Sequence, residues 1–279
     1  MPELPEVETV CKYLRKYVIN KTIKDVNVYE LKILQNITLK EFKKNIQNQK
    51  ILQITRRGKY IIFLLSFSTL ISHLRMEGKY FYYSEQKFLK FHKHKMISFC
   101  FNDNDILIYS DTRKFGTIHY FLNHNFKNNN PIKKLGIEPF NTNFNELYLK
   151  KNWLKTKKAI KKSLLEQNII CGIGNIYADE ILFLSKIHPL SVTNKLSLTD
   201  LKKIVLATKT ILKKAIELEG TTIKSFSSFQ GKFSGHFQFN LKVYHRYNQK
   251  CFNCNFLIKK IKLSNRSSFF CDHCQIQKK

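Results

Sequence analysis

CFNCNFLIKKIKLSNRSSFFCDHC, residues 251–274, holds two Cys-x2-Cys pairs separated by sixteen residues. Thiolate sulfur suits tetrahedral zinc, and each pair supplies two neighbouring ligands. Cys251, Cys254, Cys271 and Cys274 therefore make a complete ligand set for one structural Zn2+. The competing reading is two disulfides, which a cytosolic chain disfavours. His273 sits inside the second pair as a rival ligand, but a full set of four cysteines leaves it no place. Four thiolates also leave no open position for a substrate, so the ion serves the fold rather than the chemistry. Between the pairs, Lys259 to Phe270 reads as a hairpin carrying Lys259, Lys260, Lys262 and Arg266. A stapled hairpin with a basic tip suits contact with DNA; alone, it equally suits a solvated turn.

Upstream of this module the pattern is helical. Ser197 to Glu219 places Leu201, Ile204, Val205, Thr208, Ile211, Leu212 and Ala215 on one face, with Ser197 and Asp200 as a capping pair and Gly220 as the stop. Ile176 to Ser185 and Lys155 to Gln167 also read as helices. The first half differs. An amphipathic helix opens the chain on Val7, Val10, Cys11 and Leu14, with Pro5 in its first turn. Short β-like runs follow at 51–55, 60–65, 70–74, 79–83, 96–101, 106–109 and 117–121, which is the pattern of a sandwich or barrel. The polar stretch NHNFKNNNP, residues 123–131, reads as a linker.

The 279 residues suffice for two domains. The formal net charge of +29 favours a polyanionic partner, because neutralising phosphates releases counterions. Only seven of the 49 basic residues are Arg, however, and Lys, Asn and Ile dominate, so part of the excess reflects AT-rich codons. The start MPELPEVETV lacks the basic and apolar regions of a signal peptide. The longest apolar stretch, around Ile61 to Leu65, is too short to span a bilayer. The expectation is a cytoplasmic protein that does not engage membranes.

That same start carries chemistry. Removal of Met1 would leave Pro2 with a free secondary amine. Such an amine can attack an electrophilic sugar carbon to give an iminium ion that has no N–H to lose and acts as an electron sink. An α-amine is also less basic than a lysine side chain, so more of it is unprotonated at neutral pH. Glu3 stands beside it as a proton shuttle.

In order along the chain, MPELPEVETV, RRGKY (56–60), DTRKFG (111–116), LGIEP (135–139), GIGNIYADE (172–180), GTT (220–222) and the four-cysteine finger resemble the bacterial formamidopyrimidine-DNA glycosylase family over the whole length. The resemblance implies an α+β protein: an N-terminal β-sandwich with flanking helices over 1–122, a linker over 123–134, a helix–two-turn–helix DNA-binding domain with a lesion-capping loop over 135–235, and a zinc finger over 236–279. It implies a bifunctional glycosylase and abasic-site lyase of base excision repair. The enzyme would be monomeric and nucleoid-associated. It would bind double-stranded DNA, sharply bent in a cleft between the domains, and remove oxidised purines. Two rivals remain: an endonuclease VIII-like enzyme for oxidised pyrimidines, and a non-catalytic DNA-binding relic. The opening PELPEV and the Phe-Gly end of DTRKFG resemble the purine enzyme.

By the same resemblance Pro2 is the nucleophile and Glu3 its acid/base. Lys59 donates a proton during β-elimination, and Arg266 is linked to δ-elimination. Met76, Arg113 and Phe115 match the residues that fill the void left by an extruded base, with Arg113 pairing the orphaned cytosine. Read without the resemblance, Met76 and Phe115 would be ordinary core. His94, or else His92, together with Lys157 and Asn175, matches the phosphate contacts. The segment 221–236 matches the loop over the extruded base. The chain departs from the family pattern at Arg75, Glu77, Thr112 and Lys114, which surround the void-filling residues.

Overall fold

The computed structural model describes residues 1–84, 93–221 and 235–279. His92 and most of the expected lesion-capping loop, 222–234, lie outside the described residues. The chain divides into two compact units, Met1–Lys133 with Leu218–His236, and Lys134–Glu217 with Phe237–Lys279. Among the described residues, no helix is long and apolar enough to cross a membrane.

The first unit is built on two four-stranded antiparallel sheets. Helix α1 (Leu4–Val18) opens it, with Pro5 in the first turn and Val7, Val10, Cys11, Leu14 and Val18 all buried. One sheet orders β2 (Ile51–Arg57), β3 (Tyr60–Leu65), β4 (Ser68–His73) and β8 (Thr117–Leu122). The other orders β1 (Ile23–Val28), β6 (Lys95–Phe101), β7 (Ile106–Ser110) and β5 (Lys79–Tyr83). Phe63, Leu65 and Leu70 from one sheet share a core with Tyr80, Ile97, Phe99 and Leu107 from the other. Each such large apolar side chain contributes about 1.5–3 kcal/mol by leaving water.

Two elements of this unit carry a weak pattern in the sequence. Strand β1 reads IKDVNV and buries only Ile23 and Val26. Helix α2 (Leu39–Ile46) buries only Phe42 and Ile46, and a capping box holds it: Glu41 N–H donates to Thr38 Oγ1 (3.3 Å) while Thr38 N–H donates to Glu41 Oε2 (3.2 Å). The stretch read as a linker is a run of turns in which Phe126 and Ile132 are buried.

The second unit contains α3 (Glu146–Trp153), α4 (Ile160–Leu164), α5 (Asn175–Leu184), α6 (Leu198–Glu217) and a two-stranded ribbon, β9 (Lys259–Leu263) with β10 (Arg266–Phe270). The capping pair on α6 is present, with Asp200 N–H donating to Ser197 Oγ (3.1 Å) and Ser197 N–H to Asp200 Oδ2 (3.2 Å). The helix expected over 155–167 shrinks to the five residues Ile160–Leu164, and tertiary pairing accounts for the loss of its first part. The backbone of 156–160 is spent on the segment 191–194: Ile160 N–H donates to Ser191 O, Thr193 N–H to Lys158 O and Asn194 N–H to Thr156 O. Those bonds require extended backbone, and they outweigh the local helical preference.

Candidate active site and metal centre

The amino terminus is set into the protein rather than trailing from it. Pro2 is buried and Glu3 is 3% exposed. Helix α1 starts one residue later, with Val7 N–H donating to Glu3 O (3.0 Å) and Glu3 N–H donating to Glu6 Oε2 (2.9 Å). The amino group, here that of Met1, is held below its ordinary value chiefly by burial; Lys59 adds to the fall, and Glu3, Glu6 and Glu77 oppose it. Those four side chains are therefore among the charged groups that act on the chain end.

Lys59 owes its position to a tight hairpin. Arg57 pairs with Tyr60, so Gly58 and Lys59 form a two-residue turn, and Gly58 takes the positive φ (57°) that such turns demand. Although it stands in a turn, Lys59 is only 5% exposed. Tyr60 pairs with His73 on β4, and their rings meet edge to face at 4.5 Å. Burial drives His73 down to about 3, with Arg75 and Lys59 adding to the fall, so the fold favours the neutral imidazole. Sequence reasoning passed over His73, although it stands in the quoted run HLRMEG.

Met1 lines a cleft of about 510 Å³ together with Lys32, Gln35, Arg75, Met76, Lys114 and Phe115. Met76 is 38% exposed and Phe115 53% exposed, which overturns the reading of either as core. Arg113 is exposed, and its guanidinium lies over the Phe115 ring at 4.8 Å. These residues stand on two turns. The first, between β4 and β5, carries Arg75 at φ 52° and then Met76.

The second turn, 111–116, is organised by Asp111, which is 1% exposed. Its carboxylate accepts from the backbone N–H of Arg113 (2.9 Å), Phe115 (3.0 Å) and Gly116 (2.8 Å). One buried anion thus holds the turn that presents both exposed side chains. The glycines Gly78 and Gly116 both press on Tyr109, where a Cβ would lie 2.0 Å and 1.9 Å from the phenol oxygen. The departures from the family pattern have local partners. Thr112 Oγ1 donates to Glu77, tying one turn to the other, and Lys114 pairs with Glu30 at 2.9 Å. His94 is exposed at φ 59°, and its carbonyl accepts from Asp111 N–H (3.0 Å).

In the second unit, Lys157 is exposed ahead of α4. Asn175 begins α5, and its Nδ2 donates to Ser267 O (2.9 Å). Arg266 is exposed at the start of β10, beside a turn in which Ser264 and Asn265 take positive φ. Arg266 lines a second cleft, of about 380 Å³, with Lys158, Lys162 and Ser264.

The four cysteine sulfurs lie within 4.8 Å of one another, with Cys251 and Cys274 at 3.9 Å and Cys254 and Cys271 at 3.4 Å. A tetrahedral ion with bonds of about 2.3 Å requires sulfurs about 3.8 Å apart, far outside disulfide length, so the set fits one zinc-sized ion. His273 is not part of it and stacks on Phe256 at 4.4 Å.

The comparisons with known proteins agree with this geometry. Residues 1–118 match the formamidopyrimidine-DNA glycosylase N-terminal domain and residues 135–227 match the formamidopyrimidine-DNA glycosylase H2TH domain. The formamidopyrimidine-DNA glycosylase of Mycoplasma pneumoniae is 44% identical across all of both chains. That of Ureaplasma parvum is 41% identical over 99% of this chain and 100% of its own. Among solved structures, Lactococcus lactis Fpg in complex with abasic-site DNA superposes with a TM-score of 0.88 at 37% identity, covering 99% of this chain and 100% of that one. The same enzyme with N7-benzyl-Fapy-dG DNA gives 0.89 at 38% identity, covering 98% and 99%. This chain therefore belongs to the formamidopyrimidine-DNA glycosylase family, DNA glycosylases of base excision repair with abasic-site lyase activity.

Proposed function

We propose that the chain excises oxidised purines from double-stranded DNA through Pro2, once Met1 has been removed. The observation that carries this reading is the setting of the chain end: Pro2 is buried, and the amino group ahead of it is depressed in basicity chiefly by burial, with Glu3 and Lys59 among the charged groups acting on it. Burial at that place favours the neutral amine, the form that attacks, over the ammonium ion. Its nitrogen attacks C1′ of the damaged nucleotide, and the C1′–N bond breaks as the base leaves with a proton, for which Glu3 is the donor. The C1′–O4′ bond then opens, its electron pair staying on O4′, which takes up a proton, and the iminium ion so formed acidifies the C2′ proton. Loss of that proton expels the 3′ phosphate with its electron pair, and Lys59 serves proton transfer in this step. A second elimination across C4′ and C5′ expels the 5′ phosphate, with Arg266 facing the departing charge.

Met76, Arg113 and Phe115 are suited to fill the void in the helix. Two are large apolar side chains held out into solvent, and the third is a fork of donors stacked beside one of them. His94, Lys157 and Asn175 take phosphates, and the loop 221–236 covers the base. One structural zinc ion, held by Cys251, Cys254, Cys271 and Cys274, fixes the Arg266 hairpin and takes no part in bond breaking. The enzyme acts as a cytoplasmic monomer.

The test is borohydride trapping on duplex DNA containing 8-oxoguanine opposite cytosine. The expected result is a covalent adduct that peptide mapping places on Pro2, and that a retained Met1 or an amino-terminal tag abolishes. A trapped adduct on any lysine, or undiminished cleavage by the tagged protein, would overturn the scheme. Faster release of thymine glycol than of 8-oxoguanine would assign the chain to oxidised pyrimidines instead.

A further inference from the structure

Strand β10 pairs with β9 on one side only, so the other edge of this two-stranded ribbon leaves backbone groups in need of partners. Side chains from α4 and α5 supply them. The carbonyl of Ser267 accepts from Lys161 Nζ (2.9 Å) and from Asn175 Nδ2 (2.9 Å). Two residues on, and so on the same edge, the N–H of Phe269 donates to Asp179 Oδ2 (3.0 Å). Lys161 and Asp179 close the arrangement themselves, Nζ to Oδ1 at 2.6 Å, with side chains 1% and 0% exposed. The pair thus stands where a third strand would stand, and it grips β10 at the first and third residues after Arg266.

Stability alone gives no reason for this device. An ion pair taken fully out of water rarely outperforms an apolar pair of similar volume. Burial in fact pushes the Asp179 carboxyl up to about 7, against the pull of Lys161. A second anchor already ties the segment leading into the metal module to α5: Glu180 accepts from the N–H groups of Lys242, Val243 and Tyr244, each at 2.9 Å. What the ion pair adds is direction. Its bonds are aimed at one carbonyl and one N–H, so with the bond from Asn175 they set the height and tilt of β10 against α4 and α5, a direction that apolar packing does not supply.

We propose that the Lys161–Asp179 pair is a positioning device for Arg266: it holds the start of β10 so that the guanidinium meets the 5′ phosphate as the C5′–O bond breaks. Lys161 and Asp179 touch neither the sugar nor the leaving group; they act through the backbone of Ser267 and Phe269. In that step the C4′ proton is lost to solvent, the electron pair of the C5′–O bond leaves with the phosphate, and Arg266 stabilises the charge on that oxygen. The proposal rests on the reading of Arg266 given above.

The test uses the full zinc-loaded chain with a free Pro2 and duplex DNA carrying one abasic site. The double variant Lys161→Met/Asp179→Leu replaces the pair with apolar volume, and the single variant Asp179→Asn weakens it. Arg266→Ala is the reference. Three quantities are read: zinc per protein, yield of the borohydride adduct, and the ratio of δ- to β-elimination ends. The expected result in the double variant is zinc and adduct within about twofold of wild type but a δ:β ratio lower by about tenfold, since misplacement of a catalytic group by about 1 Å has effects of at least that size. A wild-type ratio in the double variant, while Arg266→Ala lowers it, overturns the positioning role and leaves the reading of Arg266 intact. An unchanged ratio in Arg266→Ala itself shows that the reading of Arg266 has failed, and the proposal falls with it. Loss of zinc from the double variant makes the pair a folding element and overturns the proposal as well.

Discussion

The carboxylate of Glu6 accepts two hydrogen bonds from Thr221, one from its backbone N–H (2.8 Å) and one from its hydroxyl (3.0 Å). Its other oxygen accepts from Glu3 N–H (2.9 Å). A single side chain from the first turn of α1 therefore joins the amino terminus to the residue from which the segment 222–234 departs. The approach is close: Gly220 takes φ +78°, and a Cβ there would lie 2.7 Å from Glu6 Oε1.

We expect Glu6→Gln to lose about 1–3 kcal/mol of stability, because an amide has one acceptor oxygen for groups that now share two. Gly220→Ala should destabilise by a similar amount through its positive φ and its contact with Glu6. If the segment after Thr221 covers the extruded base, both variants should lose release of 8-oxoguanine more than cleavage at a preformed abasic site. Equal losses on the two substrates would show that Glu6 serves only the fold.

Asp111 should govern how the void is filled. Asp111→Asn removes one acceptor from a buried site that receives three N–H donors, and about 1–3 kcal/mol of stability should go with it. Arg113→Ala leaves that turn intact and removes only the guanidinium. Both should lower discrimination of cytosine from adenine opposite the lesion by more than they lower abasic-site cleavage. Arg113→Ala should do so at wild-type melting temperature, and Asp111→Asn at a reduced one. Unchanged opposite-base preference in Arg113→Ala would remove Arg113 from the void-filling set.

Metal content tests the finger. Cys254→Ser or Cys271→Ser should take bound zinc from one ion per chain to near none, because a structural zinc site with three thiolates loses much of a binding energy of about 10 kcal/mol or more. DNA affinity should fall with it, since Arg266 stands on the ribbon between the two cysteine pairs. Full zinc occupancy in either variant would refute the four-thiolate site.

His73 sets an expectation for acid. Its folded value, about 3, lies below its ordinary 6.5, so the fold disfavours the charged ring. The stability this contributes is complete above about pH 6.5 and declines as pH falls toward 3, at up to about 1.4 kcal/mol per pH unit. Urea titrations of the full chain between pH 7 and pH 4 should therefore be shallower in pH dependence for His73→Gln than for wild type. Parallel curves would mean that His73 is charged or solvated in the folded protein.

Much of the first unit was legible because its pattern is local. The period of α1 and the apolar runs of β3, β4 and β6 each carry their own signal. Strand β1 and helix α2 were not legible, because each buries only two residues and draws its order from neighbours. The helix expected over 155–167 failed for the opposite reason. Its local pattern was real, but backbone pairing with 191–194 claimed the residues before Ile160.

The site divides in the same way. Cys251, Cys254, Cys271 and Cys274 announce their role through spacing alone, because a knuckle is closed by residues three apart and sulfur chemistry does the rest. The proposal for Pro2 and Glu3 likewise starts from the sequence, since the chemistry of a chain end is covalent. Whether Met76 and Phe115 are core or surface could not be read, because apolar character is the same in both settings and only the packing of two sheets decides which side faces water. The parts played by Glu6, His73, Asp111, Lys161 and Asp179 were hidden for a related reason. Each acts on partners brought to it by the fold, and a hydrogen bond needs direction as well as identity.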